Sequence, residues 1–341
     1  MLKPLITTII TTYRRPHLLK KAIESVLSQT YSHFQVWICD NASHDGTSEI
    51  VNEFVKNDER VKYFCHETNI GMLNNYQFGL SLVNTEFFSF LSDDDVLLPN
   101  FYDTALLEFK KYPEAGLVAG STIIMTEKGE VVRIPLSFWT REGKFDPPEG
   151  VIEMIGKYPV PTSVLFRKTV LEHAAIDFEN PTYWDCDYLL QIAAALPIVI
   201  YKEPCALFRQ HDHSYSNHQN LSYYEDAYGK LIKKIQKNKN LTDEKSEIAT
   251  NLVLTDLAHC RTHYFNQSLK KKQFNEAYKI VLALRQHPSF RKRATFYLYI
   301  VKLCKLLPLA YYGLLLVRNL KRWTRKKDMK NPINKNYASK L

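Results

Sequence analysis

A chain of 341 residues with a 45% apolar fraction is ordinary for a globular protein, with length for one large domain plus an appendage. None of its six cysteines forms a C-x-x-C pair, which argues against a zinc ribbon or a thioredoxin-type site. The net charge of +9 conceals a split: from Arg285 onward fifteen Lys and Arg face only Asp328, giving +14 and leaving −5 for the preceding 284 residues.

The first 125 residues alternate between two patterns. Residues 5–12 are a β-branched run that predicts a strand, and residues 17–29 carry apolar side chains at helical spacing behind Pro16. Strands follow at 34–39, 61–65 and 87–91, with helices at 47–56, 74–82 and 102–111. Strands separated by helices predict an α/β fold with a mostly parallel, Rossmann-like sheet covered by helices on both faces. Residues 122–125 and 131–134 flank a Glu-Lys-Gly-Glu turn and predict a hairpin. Further strands are expected at 162–166, 198–201 and 206–209, and a helix at 183–195. Residues 223–286 read as helical, with charged breaks at 237–240 and 270–272.

Ligands of open α/β sheets collect beyond the carboxyl ends of the strands. Thr12, Tyr13 and Arg14 follow the first strand, Asp40 to Thr47 the second, and Ser92-Asp93-Asp94-Asp95 the fourth. Three adjacent carboxylates repel one another, and a divalent cation gives them a reason to cluster, since Mg²⁺ is held by one or two carboxylates plus substrate phosphates. The alternative is a solvated turn. Asp40 and Asp45 could cap the helix beginning near Thr47, which is the preferred reading for Asp45. Tyr13 could pack in the core.

The residues 5–103 resemble the nucleotide-binding half of family 2 glycosyltransferases of the GT-A fold. The resemblance rests on five pieces in order: Thr11-Thr12-Tyr13-Arg14-Arg15-Pro16, the stretch 22–31, Asp40-Asn41-Ala42-Ser43-His44-Asp45-Gly46-Thr47, Asn69-Ile70-Gly71 and Phe90-Leu91-Ser92-Asp93-Asp94-Asp95. It implies that Tyr13 lines the base pocket, Asp40 accepts a hydrogen bond from the imide of uracil or thymine, Asp93 reaches the ribose and Asp94 binds Mn²⁺ or Mg²⁺. Thr12, Arg14 and Asn69 are weaker candidates for the same nucleotide pocket. Two departures stand out: Ser92 replaces the first Asp of the usual Asp-x-Asp, and Tyr76-Gln77 replaces a frequent Arg-Asn pair.

Transfer to a hydroxyl needs a carboxylate that removes the acceptor proton. Asp185 and Asp187 lie just ahead of an apolar helix, where an acidic first turn is also favoured by the helix dipole. The resemblance makes Asp185 the general base and Asp187 a helper or cap. The stretch 209–216 matches a family loop that folds over the donor, and implies His211 as a metal ligand or diphosphate donor. His213 is one residue out of register.

The segment 294–317 is largely apolar, yet Lys302, Lys305 and Pro308 interrupt it, which disfavours a simple membrane span. With its cationic flanks it predicts an amphipathic element on an anionic membrane surface; the alternative is a basic helix packed on the body. The expected division is 1–218 for the GT-A catalytic domain, 219–288 for a helical region and 289–341 for a basic tail. The Met1-Leu2-Lys3-Pro4 start shows no signal-peptide pattern, and with reduced thiols it suggests a cytoplasmic enzyme, peripheral on the inner membrane face.

Together these features imply an inverting, metal-dependent transferase that uses a UDP- or dTDP-linked sugar and a glycan or polyprenol-linked acceptor in cell-surface glycan assembly. Alternatives are a degenerate nucleotide-sugar-binding protein and a sugar nucleotidyltransferase, whose Gly-rich basic loop is missing after the first strand. Nucleic acid is not an expected partner, because the body is acidic and carries no recognition module.

Overall fold

The computed structural model describes residues 4–211 and 220–306, which divide into two compact units. The first unit is built on one ten-stranded sheet of order β3-β2-β1-β4-β9-β6-β10-β5. Its strands are β1 (Ile6–Thr12), β2 (Phe34–Asp40), β3 (Val61–Cys65), β4 (Phe87–Ser92), β5 (Val96–Leu97), β6 (Leu117–Thr126), β7 (Val131–Arg133), β8 (Gly143–Phe145), β9 (Val164–Arg167) and β10 (Ile198–Gln210). The long ladders β1–β2, β1–β4, β2–β3 and β6–β10 are parallel. Antiparallel β9 is inserted between β4 and β6. The helices are α1 (Pro16–Leu27), α2 (Thr47–Asn57), α3 (Met72–Ser81), α4 (Phe101–Lys111), α5 (Glu149–Met154) and α6 (Trp184–Ala195).

Side chains alternate across the sheet with period two, so one strand feeds two cores. Ile6 and Ile10 of β1, with Val36 and Ile38 of β2, pack under Leu19 and Ile23 of α1, Val51 of α2 and Phe101 and Phe109 of α4. Ile9 points to the opposite face, against Gly79 of α3. The expected helix cover on both faces is therefore present. Buried hydroxyls within the sheet are satisfied locally: Gln35 Nε2 donates to Thr7 Oγ1 at 2.8 Å, and Thr8 pairs with Ser89 at 3.1 Å.

The two short strands expected at 198–201 and 206–209 are one strand. Lys202, Glu203 and Pro204 interrupt the apolar pattern, but register shifts between Ile200 and Ala206 absorb the irregularity and pairing with β6 resumes. The strand β6 also begins at Leu117, upstream of the expected hairpin, which forms as the β6–β7 pair. Gly120 of β6 lies beneath Tyr201, where an added Cβ would fall 2.4 Å from Tyr201 Cζ and 2.5 Å from Cys205 Sγ. Both neighbours are buried and cannot retreat to solvent. Gly120→Ala is therefore expected to lower stability by about 1–3 kcal/mol, the usual cost of overpacking, read as a fall in thermal midpoint.

The second unit is helical: α7 (Leu221–Lys237), α8 (Asp243–Lys270), α9 (Phe274–Gln286) and α10 (Arg291–Leu306). The Asn220 side chain caps α7 by accepting the Tyr223 N–H at 3.0 Å. Its core joins Ala258 and Phe265 of α8, Ile280 and Leu284 of α9, and Ala294 and Val301 of α10, and Cys304 of α10 is buried as well. Phe265 stacks on Tyr297 with ring centroids 4.4 Å apart. The packing thus runs past residue 289, and α10 is a folded part of the helical unit. The rest of the expected tail, 307–341, lies outside the described residues, as does His213.

Candidate active site

Parallel register brings the strand ends level. Thr12 pairs with Asp40, Thr11 with Ser92, and Asp40 with Cys65. The loops after β1, β2, β3 and β4 therefore leave the sheet side by side, at the edge where an α/β sheet binds ligands.

The acidic triplet is not a solvated turn. Asp93 and Asp95 are buried and Asp94 is nearly so. Asp93 accepts hydrogen bonds from Thr12 Oγ1 at 2.8 Å and from the Tyr13 N–H at 3.4 Å. Arg15 Nη1 bridges the first two acids, 3.1 Å from Asp93 Oδ1 and 2.8 Å from Asp94 Oδ2. The same Asp94 oxygen meets His211 Nε2 at 2.9 Å across 117 residues of sequence. Burial pushes the Asp93 carboxyl up to about 6; the Asp94 charge acts the same way, while Arg15 and the Thr12 hydroxyl oppose.

Asp95 has a different task. It accepts Thr162 Oγ1 at 2.5 Å and the Arg209 N–H at 3.1 Å, so the acid loop is tied to the turn before β9 and to the end of β10. Burial, with the adjacent Asp94 charge, holds its carboxyl well above the usual range. That tie places His211, two residues beyond Arg209, against Asp94. Neither Arg15 nor Asp95 was marked by the sequence as a site residue. Their partners are too far along the chain for any local pattern to reveal.

The second cluster surrounds Asp40. Its Oδ1 accepts the Ser43 N–H at 3.0 Å and Ser43 Oγ at 2.6 Å, and its Oδ2 accepts the Tyr63 hydroxyl at 2.6 Å. It does not cap α2. Asp45, just ahead of the Gly46 N-cap, accepts the N–H of Thr47, the first residue of α2, at 3.0 Å. The Arg14 N–H donates to Ser43 Oγ at 2.9 Å and Arg14 Nε to the Ser43 carbonyl at 3.3 Å. Arg14, Ala42 and His44 all adopt left-handed backbone, with φ of 57°, 62° and 48°. Such conformations cost about 1–3 kcal/mol each and concentrate where a loop is shaped for a ligand.

Asn69 secures the loop after β3. Its Oδ1 accepts from Asn41 Nδ2 and from the Gly71 N–H, both at 2.9 Å. Gly71 has φ 87°, a conformation that favours glycine and opens α3. Tyr13 is 38% exposed and therefore no core residue; the Arg14 guanidinium lies 5.0 Å from its ring centre. A flat, accessible ring beside the Asp40 and Asp93 loops can stack on a base.

Asp185 stands in the first turn of α6. The preceding Trp184 packs on Phe90 of β4 and on Tyr76 of α3, with centroids 5.9 Å and 4.8 Å away. Tyr76, in the place of the frequent Arg-Asn pair, is itself buried edge-on against Phe90, with centroids 5.4 Å apart. This aromatic wedge anchors the start of α6 beside the acid loop. The Asp185 carboxyl accepts the Cys186 N–H at 2.9 Å, and burial raises it above the ordinary carboxylate range. Asp187 is buried and accepts Gln191 Nε2, one turn further along α6, at 2.8 Å, so it is not a second accessible acid.

Asp94 and His211 present one carboxylate oxygen and one imidazole nitrogen at a single point. Among the described residues no group of three His, Cys, Asp or Glu gathers for a metal. The pair nevertheless suits Mn²⁺ or Mg²⁺, which takes few protein ligands and completes its shell with phosphate oxygens and water.

Residues 7–174 match the model of glycosyl transferase family 2. A Campylobacter jejuni GalNAc(5)-diNAcBac-PP-undecaprenol beta-1,3-glucosyltransferase is 35% identical over 104 residues, 30% of this chain and 34% of that protein. The chain spans well under half of the curated relatives it matches, at 34%, 39% and 42% of the lengths of three of them. Among solved structures, S. aureus TarS 1–349 in complex with UDP-GlcNAc aligns with TM-score 0.66 at 15% identity, covering 89% of this chain and 91% of that one. The mannosyltransferase PcManGT from Pyrobaculum calidifontis, in complex with GDP-Man and Mn²⁺, aligns with TM-score 0.53 at 14% identity, covering 90% and 88%. Residues 7–174, which carry the motif-bearing loops at the strand ends, are a glycosyl transferase family 2 domain, and the solved structures share its GT-A fold.

Proposed function

We propose that the chain is an inverting glycosyltransferase that moves a sugar from a UDP- or dTDP-linked donor to a hydroxyl of a lipid-linked saccharide, at an anionic membrane surface. The observation that carries the reading is the convergence of Arg15 and His211 on one oxygen of Asp94, at the ligand-binding edge of the sheet. Tyr13 stacks on the base, Asp40 accepts from its imide, and Asp93 takes the ribose hydroxyls. Asp94 and His211 would hold a divalent cation, which would supply charge neutralisation for the departing diphosphate. Asp185 takes the proton of the acceptor hydroxyl as that oxygen attacks the anomeric carbon from the face opposite the diphosphate, which inverts the centre. The lipid-linked acceptor follows the Campylobacter relative, which is named for an undecaprenol-linked substrate.

The test is a panel of nucleotide sugars with Mn²⁺, scored first by thermal stabilisation and then by release of the nucleoside diphosphate. Stabilisation by one donor and its turnover are expected. Stabilisation without turnover would identify a binding protein with a degenerate site, and no stabilisation by any donor would defeat the reading.

Arg15 competes with the cation for Asp94. Its guanidinium already neutralises the two acids, so Arg15→Gln is expected to tighten Mn²⁺ binding by about tenfold, roughly 1.4 kcal/mol. Calorimetric titration of nucleotide-free protein with Mn²⁺ measures this. Equal affinities would show that Arg15 and the metal occupy separate places.

A further inference from the structure

Helix α10 has two apolar faces, and the core uses only one. Ala294, Val301 and Cys304 are buried, the first two in the core of the helical unit. On the opposite side Phe296, Tyr299, Leu303 and Leu306 follow one another at three- and four-residue steps, which aligns them in a single stripe. They are 62%, 69%, 46% and 79% exposed. Four large apolar side chains in one exposed row mark an interaction surface.

The charges around the stripe identify its partner. The helix contains Arg291, Lys292, Arg293, Lys302 and Lys305 and no acidic residue. Lys292 stands one turn ahead of Phe296 on the same stripe, and Lys302 beside Leu303; both are exposed. Long cationic side chains can lay their stems along an apolar surface and raise their heads to phosphate. Aromatic rings in the row suit the boundary between acyl chain and headgroup. No helix among the described residues is long and apolar enough to cross a membrane, so such a helix would lie in the plane.

We infer that the outward face of α10, Phe296-Tyr299-Leu303-Leu306 with Lys292 and Lys302, is the surface by which the chain docks on anionic phospholipid. The inference rests on the membrane-surface reading above and assigns it to a folded helix. The segment cannot be tested by deletion at residue 287, because that would remove Phe290, Ala294 and Val301 from the core of the helical unit.

The experiment compares the full chain with a Phe296→Glu/Leu303→Glu variant, in co-sedimentation with phosphatidylglycerol and with phosphatidylcholine vesicles. Both substitutions are at exposed sites, so the thermal midpoint is expected to hold. Binding to phosphatidylglycerol should fall by about tenfold or more, because two anions replace the apolar contact and face like charge. A second variant, Lys292→Gln/Lys302→Gln, should bind more weakly and lose part of its salt sensitivity while keeping the apolar contribution. If the glutamate variant sediments like the parent, the stripe is not the docking face. Lipid docking is equally overturned if the parent ignores vesicles and forms a dimer in solution that the glutamates dissociate. Calorimetry with UDP and Mn²⁺ on the same samples separates the two readings: intact nucleotide binding without vesicle binding removes the docking face alone.

Discussion

Asp94→Ala is expected to reduce sugar transfer by about a thousandfold and to erase the effect of Mn²⁺ on UDP affinity, at about 1.4 kcal/mol per decade of rate. The reason is geometric. One oxygen of Asp94 is the meeting point of Arg15 and His211, whereas the Asp95 carboxylate is occupied by Thr162 and the Arg209 N–H. A metal contributes several kcal/mol of charge stabilisation to a departing phosphate. Losing about 4 kcal/mol of it accounts for the expected fall in rate. The variant should fold, because Arg15 keeps its pairing with Asp93 and Asp95 keeps both of its partners. It should also let the Asp93 carboxyl fall back from about 6, since the Asp94 charge helps to hold it up. Calorimetry with UDP, with and without Mn²⁺, is the measurement. A metal dependence that survives the substitution would remove Asp94 from the site.

Asp185→Asn is expected to leave donor affinity within about twofold and to cut transfer by about a hundredfold or more, the scale of a lost general base. The amide is nearly isosteric and can still accept the Cys186 N–H, so α6 should remain in place. The pH dependence gives a second signature. Only the ionised carboxylate can take a proton, and burial raises its pKa in the folded enzyme. Activity should therefore fall on the acidic side, through a midpoint above the ordinary carboxylate value, and the residual rate of the asparagine variant should lack that limb. If donor affinity collapses instead, Asp185 holds the nucleotide pocket rather than the acceptor proton.

Strand identity was legible where local pattern and tertiary role agree. The β-branched run before Thr12 and the aromatic run before Ser92 are buried on both faces, so nothing competes with their reading as parallel strands. The strand β10 was not legible as one piece, because its continuity depends on β6 holding both sides of an irregular, charged middle. Short β5 and β8 exist only as pairings with β10 and have no pattern of their own. The site divides the same way. Residues at or just beyond strand ends, such as Asp40, Asp93 and Asp94, could be found by position. Tyr63 and Thr162 act through hydroxyls on acids 23 and 67 residues away, and a lone tyrosine or threonine advertises no such partner. Conversely, the helical end of the chain has the sequence of a tail because its charge dominates its composition; its inward small and apolar residues become visible only once α9 is beside them.

The two hydrogen bonds that secure Asp95 set a timetable for the nascent chain. The ribosome has released residues 1–111, with every nucleotide candidate except His211, long before it reaches the partners of Asp95, 67 and 114 residues later. The stems of the acid loop wait as well, since β4 needs β9 and β5 needs β10 to complete their pairing. A fragment ending after α4 would hold an acid whose buried environment does not yet exist, on a loop with one stem still unpaired. On the proposed function, donor recognition would be a late event of synthesis: the acid loop is secured only when the chain returns at Arg209, and that same return delivers His211.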